Sequence, residues 1–308
     1  MATSPPPLDS PDPGALAERK AALDTTISVC LPAYNEEGTV GNIVGSIRRA
    51  LVEQTHLVDE IVVMDDGSED STAAFAREEG AAVHRVDHVL PDVAPGRGKG
   101  NALWRSLAVT TGDLVVWIDA DIYNFRPHFV TRLVEPLLHR PEVWFVKAFY
   151  RRPLHGAPTG GGRVTELMAR PLIAALFPEL AGIIQPLGGE YAGRRTLLDS
   201  VPFFEGWGVE IGLLIDVAAT AGIDAIAQCD LGTREHRNRP LEQLSPQAMA
   251  VLVTCLRRAG LPEERIGTTL ATFDDDHVAL EVDIPARERP PMITVPAYRA
   301  VRGLAPLP

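Results

Sequence analysis

The chain has 308 residues, of which 45% are hydrophobic and 23% charged, and it carries a formal net charge of −12 at pH 7. That acidic balance argues against a general affinity for nucleic acid or an anionic membrane, because both require basic surface, and no apolar run approaches the roughly 18 residues of a membrane span. The three cysteines, Cys30, Cys229 and Cys255, lack metal-site spacing and lie in apolar runs, so we expect free thiols and a cytoplasmic protein.

The predicted elements alternate between strands and helices after a polar N-terminal segment. Proline clusters and charges in residues 1–24 predict a disordered tail outside the fold. In residues 25–155, apolar runs of strand length alternate with amphipathic helical patterns, which is typical of a mostly parallel sheet flanked by helices, the α/β class. We expect this half to bind a nucleotide, residues 156–284 to form a smaller, more helical half that closes the cleft, and residues 285–308 to form a C-terminal tail.

The first two predicted strands end in polar residues, at the position where open α/β sheets bind ligands. The strand from Ile27 ends in Pro32-Ala33-Tyr34-Asn35-Glu36, in which Glu36 is a candidate acceptor of hydrogen bonds from a base or a ribose. The second strand ends in Asp65-Asp66-Gly67-Ser68, where a carboxylate is suited to a uracil N–H or a ribose and Ser68 to the ring. Helix capping and a tight turn are the alternative explanations.

Lysine is rare in this arginine-rich chain, which contains only Lys20, Lys99 and Lys147. Lys99 stands between Gly98 and Gly100, and because glycines permit close backbone approach, its ammonium is suited to a diphosphate. Lys147 lies in a predicted strand, and we expect its side chain to extend to solvent.

The run from Asp113 to Asp121, DLVVWIDAD, predicts a buried strand that ends in two acids one residue apart. Alternate residues of a strand point the same way, so the carboxylates of Asp119 and Asp121 should emerge together at its carboxyl end. Mg²⁺ and Mn²⁺ prefer such oxygen ligands and take further oxygens from phosphates. The pattern indicates a site for a metal ion and a diphosphate, although a helix cap or a solvated turn explains two acids equally well.

Residues 160–165 form a glycine-rich turn ahead of a helical pattern. Such a turn presents unpaired N–H groups, and Arg163 and Thr165 add a guanidinium fork and a hydroxyl. The segment is suited to an anionic phosphate or carboxylate, with a flexible loop ending in an ordinary N-cap as the alternative.

In their order and spacing, these motifs resemble those of GT-A fold nucleotide-sugar glycosyltransferases. Motifs of the second half are similar to those of the glucosyl-3-phosphoglycerate synthases of the actinobacterial type, and the resemblance runs from about residue 26 to residue 260. They are Phe149-Tyr-Arg-Arg-Pro-Leu154, Gly160-Gly-Gly-Arg-Val-Thr-Glu-Leu167, Gln185-Pro-Leu-Gly-Gly-Glu-Tyr191, Gly208-Val-Glu-Ile-Gly212 and His236-Arg-Asn-Arg-Pro240.

The resemblance implies a retaining transfer of glucose from UDP-glucose to the 2-hydroxyl of D-3-phosphoglycerate, with Mg²⁺ or Mn²⁺ as the cofactor. It also implies a GT-A fold, an acceptor-binding second half, and a homodimer for which the C-terminal helices are a candidate interface. By position, the implied metal ligands are Asp121 and His236, and the implied catalytic residues are Lys99, Asp119, Asp121 and Glu210. The residues implied at the nucleotide sugar are Pro32, Ala33, Tyr34, Glu36, Asp66, Ser68, Lys99, Asp119, Ala120, Leu187 and Glu210, and those implied at the acceptor are Gly162, Arg163, Thr165 and Asn238.

One position departs from the family pattern, because Trp207 stands where a tyrosine precedes Gly-Val-Glu. Because the tryptophan adds bulk and lacks the hydroxyl, this position does not decide which nucleotide sugar is the donor. A mannosyl-3-phosphoglycerate synthase that uses GDP-mannose is therefore an alternative. A polyprenyl-phosphate sugar transferase would need a membrane-facing apolar or basic helix, for which the chain offers no convincing segment. A non-catalytic nucleotide-sugar sensor could lose metal ligands, whereas this chain keeps Lys99, Asp119, Asp121 and His236.

Overall fold

The computed structural model describes residues 10–154, 157–235, 240–273 and 277–305. The strands are β1 (Ile27–Ala33), β2 (Glu60–Asp65), β3 (Ala82–Arg85), β4 (Leu114–Trp117), β5 (Phe145–Arg151), β6 (Pro153–Leu154), β7 (Ala157–Gly160), β8 (Tyr191–Arg194), β9 (Phe203–Phe204), β10 (Ile226–Thr233), β11 (Thr269–Phe273), β12 (Ala279–Asp283) and β13 (Glu288–Arg289). The helices are α1 (Pro13–Ala22), α2 (Val40–Ile47), α3 (Thr72–Glu78), α4 (Gly98–Val109), α5 (His128–His139), α6 (Arg170–Leu176), α7 (Arg195–Leu198), α8 (Val209–Ala221), α9 (Ser245–Arg258) and α10 (Pro296–Val301). No helix within these described ranges is both long enough and apolar enough to cross a membrane.

Seven strands form the central sheet, in the order β10-β5-β8-β4-β1-β2-β3. β8 pairs antiparallel with β4 and β5, and the other neighbours are parallel. The predicted fold class, a mostly parallel sheet flanked by helices, is confirmed. Because parallel strands of one sheet end at the same edge, the residues that follow β1, β2, β4, β5 and β10 meet there, together with the residues that precede β8.

Strand β4 shows how the sequence builds two cores. Leu114 and Val116 enter the core on the face covered by α2 and α5, and Val115 and Trp117 enter the core on the face covered by α4 and α8. All four side chains are buried. Each such side chain is worth roughly 1.5–3 kcal/mol when removed from water, so burial on both faces holds the strand end, and the residues that follow it, in a fixed place.

The prediction of a disordered N-terminal tail is wrong for residues 13–22, which form α1. The Asp12 carboxylate caps this helix by accepting a hydrogen bond from the backbone N–H of Gly14 at 3.1 Å. Leu16 is buried in the core, and Lys20 Nζ lies 2.6 Å from Asp59 Oδ1. The two buried residues of α1, Leu16 and Lys20, are too few to form a helical pattern of apolar residues in the sequence. Only the packing shows that the helix belongs to the fold. Residues 1–9 lie outside the described ranges.

The predicted C-terminal tail also packs onto the fold. β13 pairs antiparallel with β9, and α10 buries Tyr298, whose hydroxyl donates to Asp199 Oδ2 at 2.6 Å. The predicted boundary near residue 155 does not separate two sheets, because β8 and β10 from the second half join the central sheet.

Candidate active site

A cavity of about 450 Å³ opens at the edge where the parallel strands end. Its walls come from the ends of β1, β2 and β4, from the first turns of α4 and α8, and from the glycine turn ahead of α6. This is the crevice in which open α/β sheets bind ligands. The sequence-predicted residues among its walls are Pro32, Ala33, Tyr34, Glu36, Asp66, Lys99, Asp119, Ala120, Asp121, Gly162, Arg163, Thr165, Leu187 and Glu210.

Among the described residues of the predicted site, one is not part of these walls, and two further predicted residues are not described. Ser68 does not line the cavity, because its Oγ accepts a hydrogen bond from the backbone N–H of Asn35 at 3.0 Å and thereby ties the turn after β2 to the turn after β1. His236 and Asn238 lie outside the described residues.

The two carboxylates that follow β4 emerge together, as the sequence predicts. Arg234, which follows β10, donates from Nη2 to Asp119 Oδ2 at 2.8 Å and to Asp121 Oδ1 at 2.7 Å. A single guanidinium nitrogen therefore lies between the two acids. The backbone crowds them from the other side, since a Cβ atom added at Gly189 would lie 2.0 Å from Asp119 Oδ2.

Lys99 completes the pairing of Asp119 from the first turn of α4. Its Nζ atom lies 2.5 Å from Asp119 Oδ1 and 2.7 Å from Oε1 of Glu210, which belongs to the first turn of α8. Two short charge-assisted contacts fix the ammonium at the wall of the cavity.

The glycines beside Lys99 have a packing role that the sequence analysis did not predict. They open α4 rather than form a loop, and a Cβ atom at Gly100 would lie 1.8 Å from the carbonyl oxygen of Phe204. At Gly98 it would lie 3.1 Å from the Cα atom of Gly206. The two glycines let the helix pack closely against residues 204–206, and that packing is what places Lys99 at the cavity.

The charges of this cluster are strongly coupled. Burial on its own would lower the pKa of Lys99, but the charges of Asp119 and Glu210 raise it well above its usual value. Burial would likewise raise the pKa of Asp119, but Lys99 and Arg234 lower it to well below its usual range. Both groups are charged at neutral pH, so the cluster presents fixed charges to a ligand.

Sequence reasoning missed Arg234 and its partner Glu190. Glu190 precedes β8 and is 0% exposed, and its Oε1 lies 2.9 Å from Arg234 Nε. Burial raises the pKa of Glu190, against the opposing charge of Arg234. The two residues are far apart in the sequence and meet only because β8 starts at the edge where β10 ends. The one local signal was the place of Glu190 in the motif from Gln185 to Tyr191.

The donor set at the end of β4 fits a divalent metal ion. Asp119 and Asp121 lie close enough together to share one cationic group, and carboxylate oxygens are the ligands that Mg²⁺ and Mn²⁺ prefer. Within the part of the chain that the structure describes, no group of three or more His, Cys, Asp and Glu side chains is arranged to hold a metal ion. The described residues thus supply two carboxylates, and the implied histidine ligand lies among the residues that are not described.

The wall of the cavity to which the resemblance assigns the acceptor is a glycine turn that leads into a helix, and this local structure is as predicted. Gly162 has φ of 78°, in the left-handed region that favours glycine. Thr165 is buried and begins a π-helical turn, Thr165–Ala169, that continues into α6. Arg163 and Thr165 line the cavity together with Arg152, which follows β5.

Lys147 was expected to extend to solvent, and that expectation is wrong. Its side chain is 1% exposed, donates a hydrogen bond to the carbonyl oxygen of Gly188 and lies with Nζ 4.3 Å from the ring centroid of Tyr191. Burial lowers the pKa of Lys147 to about 7. β5 lies inside the sheet between β10 and β8, so a side chain on its buried face has no path to water.

Trp207 lies on the apolar part of the cavity wall. Its side chain is 38% exposed, and Leu187 and Val251 line the same cavity. A large aromatic surface is therefore available to a bound ligand close to Glu210.

Comparison with known proteins agrees with this geometry. Residues 28–197 match the family model described as "Glycosyl transferase family 2". The chain is 50% identical over 280 residues to "Glucosyl-3-phosphoglycerate synthase" from Mycolicibacterium smegmatis, which covers 89% of this chain and 91% of that protein.

Two solved structures of glucosyl-3-phosphoglycerate synthase from Mycobacterium tuberculosis are similar to the whole fold. One is a complex with Mn²⁺, uridine-diphosphate-glucose and phosphoglyceric acid, with a TM-score of 0.84, 47% identity, and coverage of 94% of this chain and 97% of that one. The other is a complex with Mn²⁺, uridine-diphosphate and glucosyl-3-phosphoglycerate, with a TM-score of 0.83, 47% identity, and coverage of 94% and 98%.

Proposed function

The chain belongs to glycosyl transferase family 2 and, within it, to the glucosyl-3-phosphoglycerate synthases, and we propose on that basis that it transfers glucose from UDP-glucose to the 2-hydroxyl of D-3-phosphoglycerate. The product is glucosyl-3-phosphoglycerate, formed with retention of the α-configuration.

One observation carries this proposal, namely that a single cavity joins two kinds of charged site. The carboxylates of Asp119 and Asp121 share a cationic partner at one side, and the turn with Arg163 and Thr165 lies at the other. The first arrangement suits a metal-bound diphosphate and the second suits an anionic acceptor. A transfer between two phosphorylated substrates requires both in one place.

A divalent metal ion, Mg²⁺ or Mn²⁺, is the cofactor, and when bound it neutralises negative charge on the diphosphate. We assign Asp121 and His236 as the residues that hold it, with Asp119 beside the ribose. The Lys99 ammonium, held 2.5 Å from Asp119 and 2.7 Å from Glu210, is placed to stabilise the charge that develops on the leaving UDP.

Glu210 orients the sugar hydroxyls in this proposal and does not act as a nucleophile. Its carboxylate is nearly fully buried and is already paired with Lys99, which disfavours attack on the anomeric carbon. The acceptor 2-hydroxyl attacks from the face that UDP leaves, and a donor phosphate oxygen takes its proton. If azide restored UDP release to a Glu210→Ala variant and the product were glucosyl azide, azide would be replacing a nucleophilic carboxylate, and this mechanism would be wrong.

The test is metal-dependent release of UDP from UDP-glucose, measured with and without D-3-phosphoglycerate and compared with nucleotide release from GDP-glucose and GDP-mannose. We expect phosphoglycerate to stimulate release from UDP-glucose, and Asp121→Ala and His236→Ala each to lower the stimulated rate by roughly 100- to 1,000-fold. Asp113→Ala is the control, because Asp113 is not a wall of the cavity. Its carboxylate instead accepts a hydrogen bond from the backbone N–H of Thr26 at 2.9 Å.

The alternative outcomes separate the competing functions. Faster release from GDP-mannose would identify a mannosyl enzyme, a reading that the similarity to glucosyl enzymes does not support. If the rate of UDP release were the same with and without phosphoglycerate, the proposed donor site would remain supported and phosphoglycerate would be excluded as the acceptor. Slow release that is indifferent to any acceptor would identify a nucleotide-sugar sensor.

We also propose a homodimer, for which the sequence prediction named the C-terminal helices as the interface and for which we now name the hairpin of β11 and β12. These two strands pair antiparallel with each other, and Phe273, Val278 and Leu280 are at least half exposed on or beside them. Exposed apolar side chains of this kind are suited to contact with a second copy of the chain. Sedimentation at micromolar concentration should give about twice the 33.3 kDa chain mass, and a Phe273→Ser, Leu280→Ser double variant should give the monomer. A wild-type protein that sediments as a monomer would exclude the dimer.

We place the enzyme in the cytoplasm. The structure holds Cys30, Cys229 and Cys255 as free thiols, which suits a reducing compartment. Fractionation of the source cells, with detection by a specific antibody, would overturn this placement if the protein were found outside the cytoplasmic fraction.

A further inference from the structure

Arg152, which follows β5, is a cation of the cavity to which neither the resemblance nor the charge cluster gives a role. Its Nη2 donates to the hydroxyl of Tyr150 at 2.9 Å, and its guanidinium carbon lies 5.0 Å from the Tyr150 ring centroid. On its other side it packs against the glycine turn, since a Cβ atom at Gly162 would lie 3.8 Å from Arg152 Nη1. The side chain is thus held in place by a neutral ring and by backbone.

Arg152 differs from Arg234, which lies over the same tyrosine ring, in lacking an acidic partner among the described side chains. Arg234, Arg258 and Arg289 each pair with a carboxylate, whereas no carboxylate among the described side chains lies within ion-pair distance of Arg152. Its Nε atom is buried and has no hydrogen-bond partner among the residues that the structure describes. A buried donor without a partner costs stability, and a guanidinium in that state at a cavity wall is suited to an anionic ligand.

The position of Arg152 relative to the charge cluster indicates which anionic group of a ligand it is placed to bind. Arg152 and Arg234 lie over the same Tyr150 ring, at 5.0 and 5.5 Å from its centroid. Arg152 is also among the cations that lower the pKa of Asp119, after Lys99 and Arg234. Arg152 therefore lies between the charge cluster at the end of β4 and the glycine turn.

The acceptor of the proposed function has an anion at each end. In D-3-phosphoglycerate the carboxylate is attached directly to the carbon that carries the reacting 2-hydroxyl, and the phosphate is attached through a methylene and an oxygen. The carboxylate must therefore remain close to the reaction centre, while the phosphate reaches further out. The geometry matches this order, with Arg152 next to the charge cluster and the turn of Arg163 and Thr165 beyond it.

We propose that Arg152 binds the carboxylate of the acceptor and so selects a phosphorylated 2-hydroxy acid over a phosphorylated polyol. The assignment rests on the proposed function, since it takes D-3-phosphoglycerate as the acceptor. Arg152 acts as a specificity residue at the end of the acceptor opposite to Arg163.

The experiment pairs a side-chain change with a matched ligand change. Glycerol 3-phosphate keeps the phosphate and the 2-hydroxyl of the acceptor and lacks only the carboxylate. The dissociation constants of both ligands are measured by calorimetry on the full chain with UDP and Mn²⁺ present, for the wild type, Arg152→Gln and Arg152→Lys. Arg151→Gln is the matched control, because it removes the same charge from the preceding residue, whose exposed side chain is not a wall of the main cavity.

We expect the wild type to prefer phosphoglycerate, and Arg152→Gln to weaken phosphoglycerate binding by roughly 10- to 100-fold while glycerol 3-phosphate changes by less than about threefold. The preference should therefore nearly vanish. For Arg152→Lys, the affinity for phosphoglycerate should lie between those of the wild type and Arg152→Gln, because an ammonium keeps the charge and loses the two-pronged contact. Arg151→Gln should bind both ligands as the wild type does. In turnover, the acceptor KM should rise more than kcat falls.

Two results would overturn the assignment. If Arg152→Gln and Arg152→Lys weaken both ligands by the same factor, Arg152 serves the phosphate or the local fold and not the carboxylate. If neither variant weakens phosphoglycerate, Arg152 does not bind the acceptor. Failure of the proposed function looks different, since the wild type itself would then not bind phosphoglycerate.

Discussion

The proposed donor side and the proposed acceptor side of the cavity hold their charged groups in different ways. At the end of β4, Asp119 is held by Lys99 and by Arg234, and Arg234 is anchored in turn by the buried Glu190. On the acceptor side, Arg152 packs against the ring of Tyr150 and against the glycine turn. It has no carboxylate partner among the described side chains. The donor side is preorganised by charges within the protein, whereas on the acceptor side Arg152 presents a charge that, in our proposal, the carboxylate of the acceptor pairs with.

The largest expected effect tests whether the donor side really depends on its internal pairing. Arg234→Met should lower the free energy of unfolding by about 3–5 kcal/mol, because it leaves Glu190 buried without its cation. The measurement is urea unfolding followed by circular dichroism. Arg163→Met, the matched change on the acceptor side, should cost less than about 1 kcal/mol.

A second variant isolates the buried charge as the cause. The double change of Glu190→Gln and Arg234→Met removes both charges of the pair and should recover more than half of the loss, because a neutral amide costs much less to bury than an unpaired carboxylate. If Arg234→Met and Arg163→Met lowered the free energy of unfolding by the same amount, the two sides would not differ in their dependence on internal charge pairing.

Two glycine substitutions should separate the sides by their kinetics. A Cβ atom at Gly189 would lie 2.0 Å from Asp119 Oδ2, so Gly189→Ala must displace that carboxylate and should lower kcat by roughly 100-fold. At Gly162 the added atom meets nothing closer than 3.8 Å, but φ of 78° strains the backbone of an alanine. Gly162→Ala should therefore raise the acceptor KM several-fold with little change in kcat.

Steady-state rates with each substrate varied in turn provide this measurement. The comparison between the two sides fails if Gly189→Ala changes only the acceptor KM, or if Gly162→Ala lowers kcat as much as Gly189→Ala does.

The smallest expected effect is a pH dependence confined to the donor side. Burial, together with the charge of Asp65, raises the pKa of Asp66 to about 6. The carboxylate form is lost as the pH falls through that value, so if Asp66 accepts the uracil N–H, the affinity for UDP should fall by about tenfold between pH 7 and pH 5.

Calorimetric titration with UDP across this range checks the pH prediction, and Asp66→Asn is the control because it retains an acceptor oxygen and cannot ionise. The control separates Asp66 from the titration of the diphosphate itself. A wild type and an Asp66→Asn variant with the same pH profile would remove Asp66 from base recognition.

Sequence alone was sufficient wherever the signal is local. The apolar runs that end in Asp66 and Asp121 predict parallel strands and a ligand edge, because strand periodicity and polar strand ends are properties of neighbouring residues. The turn of residues 160–165 was likewise identified from adjacent glycines. Fold class and all but one of the described residues expected at the cavity followed from such patterns and from the family resemblance, the exception being Ser68.

Tertiary structure alone decided which charges are paired and which are open. Arg234 reaches Asp119 and Glu190 only because β10 and β8 bring distant residues to the same edge, and Lys147 is buried only because β5 lies between β10 and β8. Helix α1 joins the fold through Leu16 and through contacts of Arg19 and Lys20 with residues far away in the sequence. Pairing, burial and the open state of Arg152 depend on distances between residues far apart in the chain, and no local pattern of residues encodes those distances.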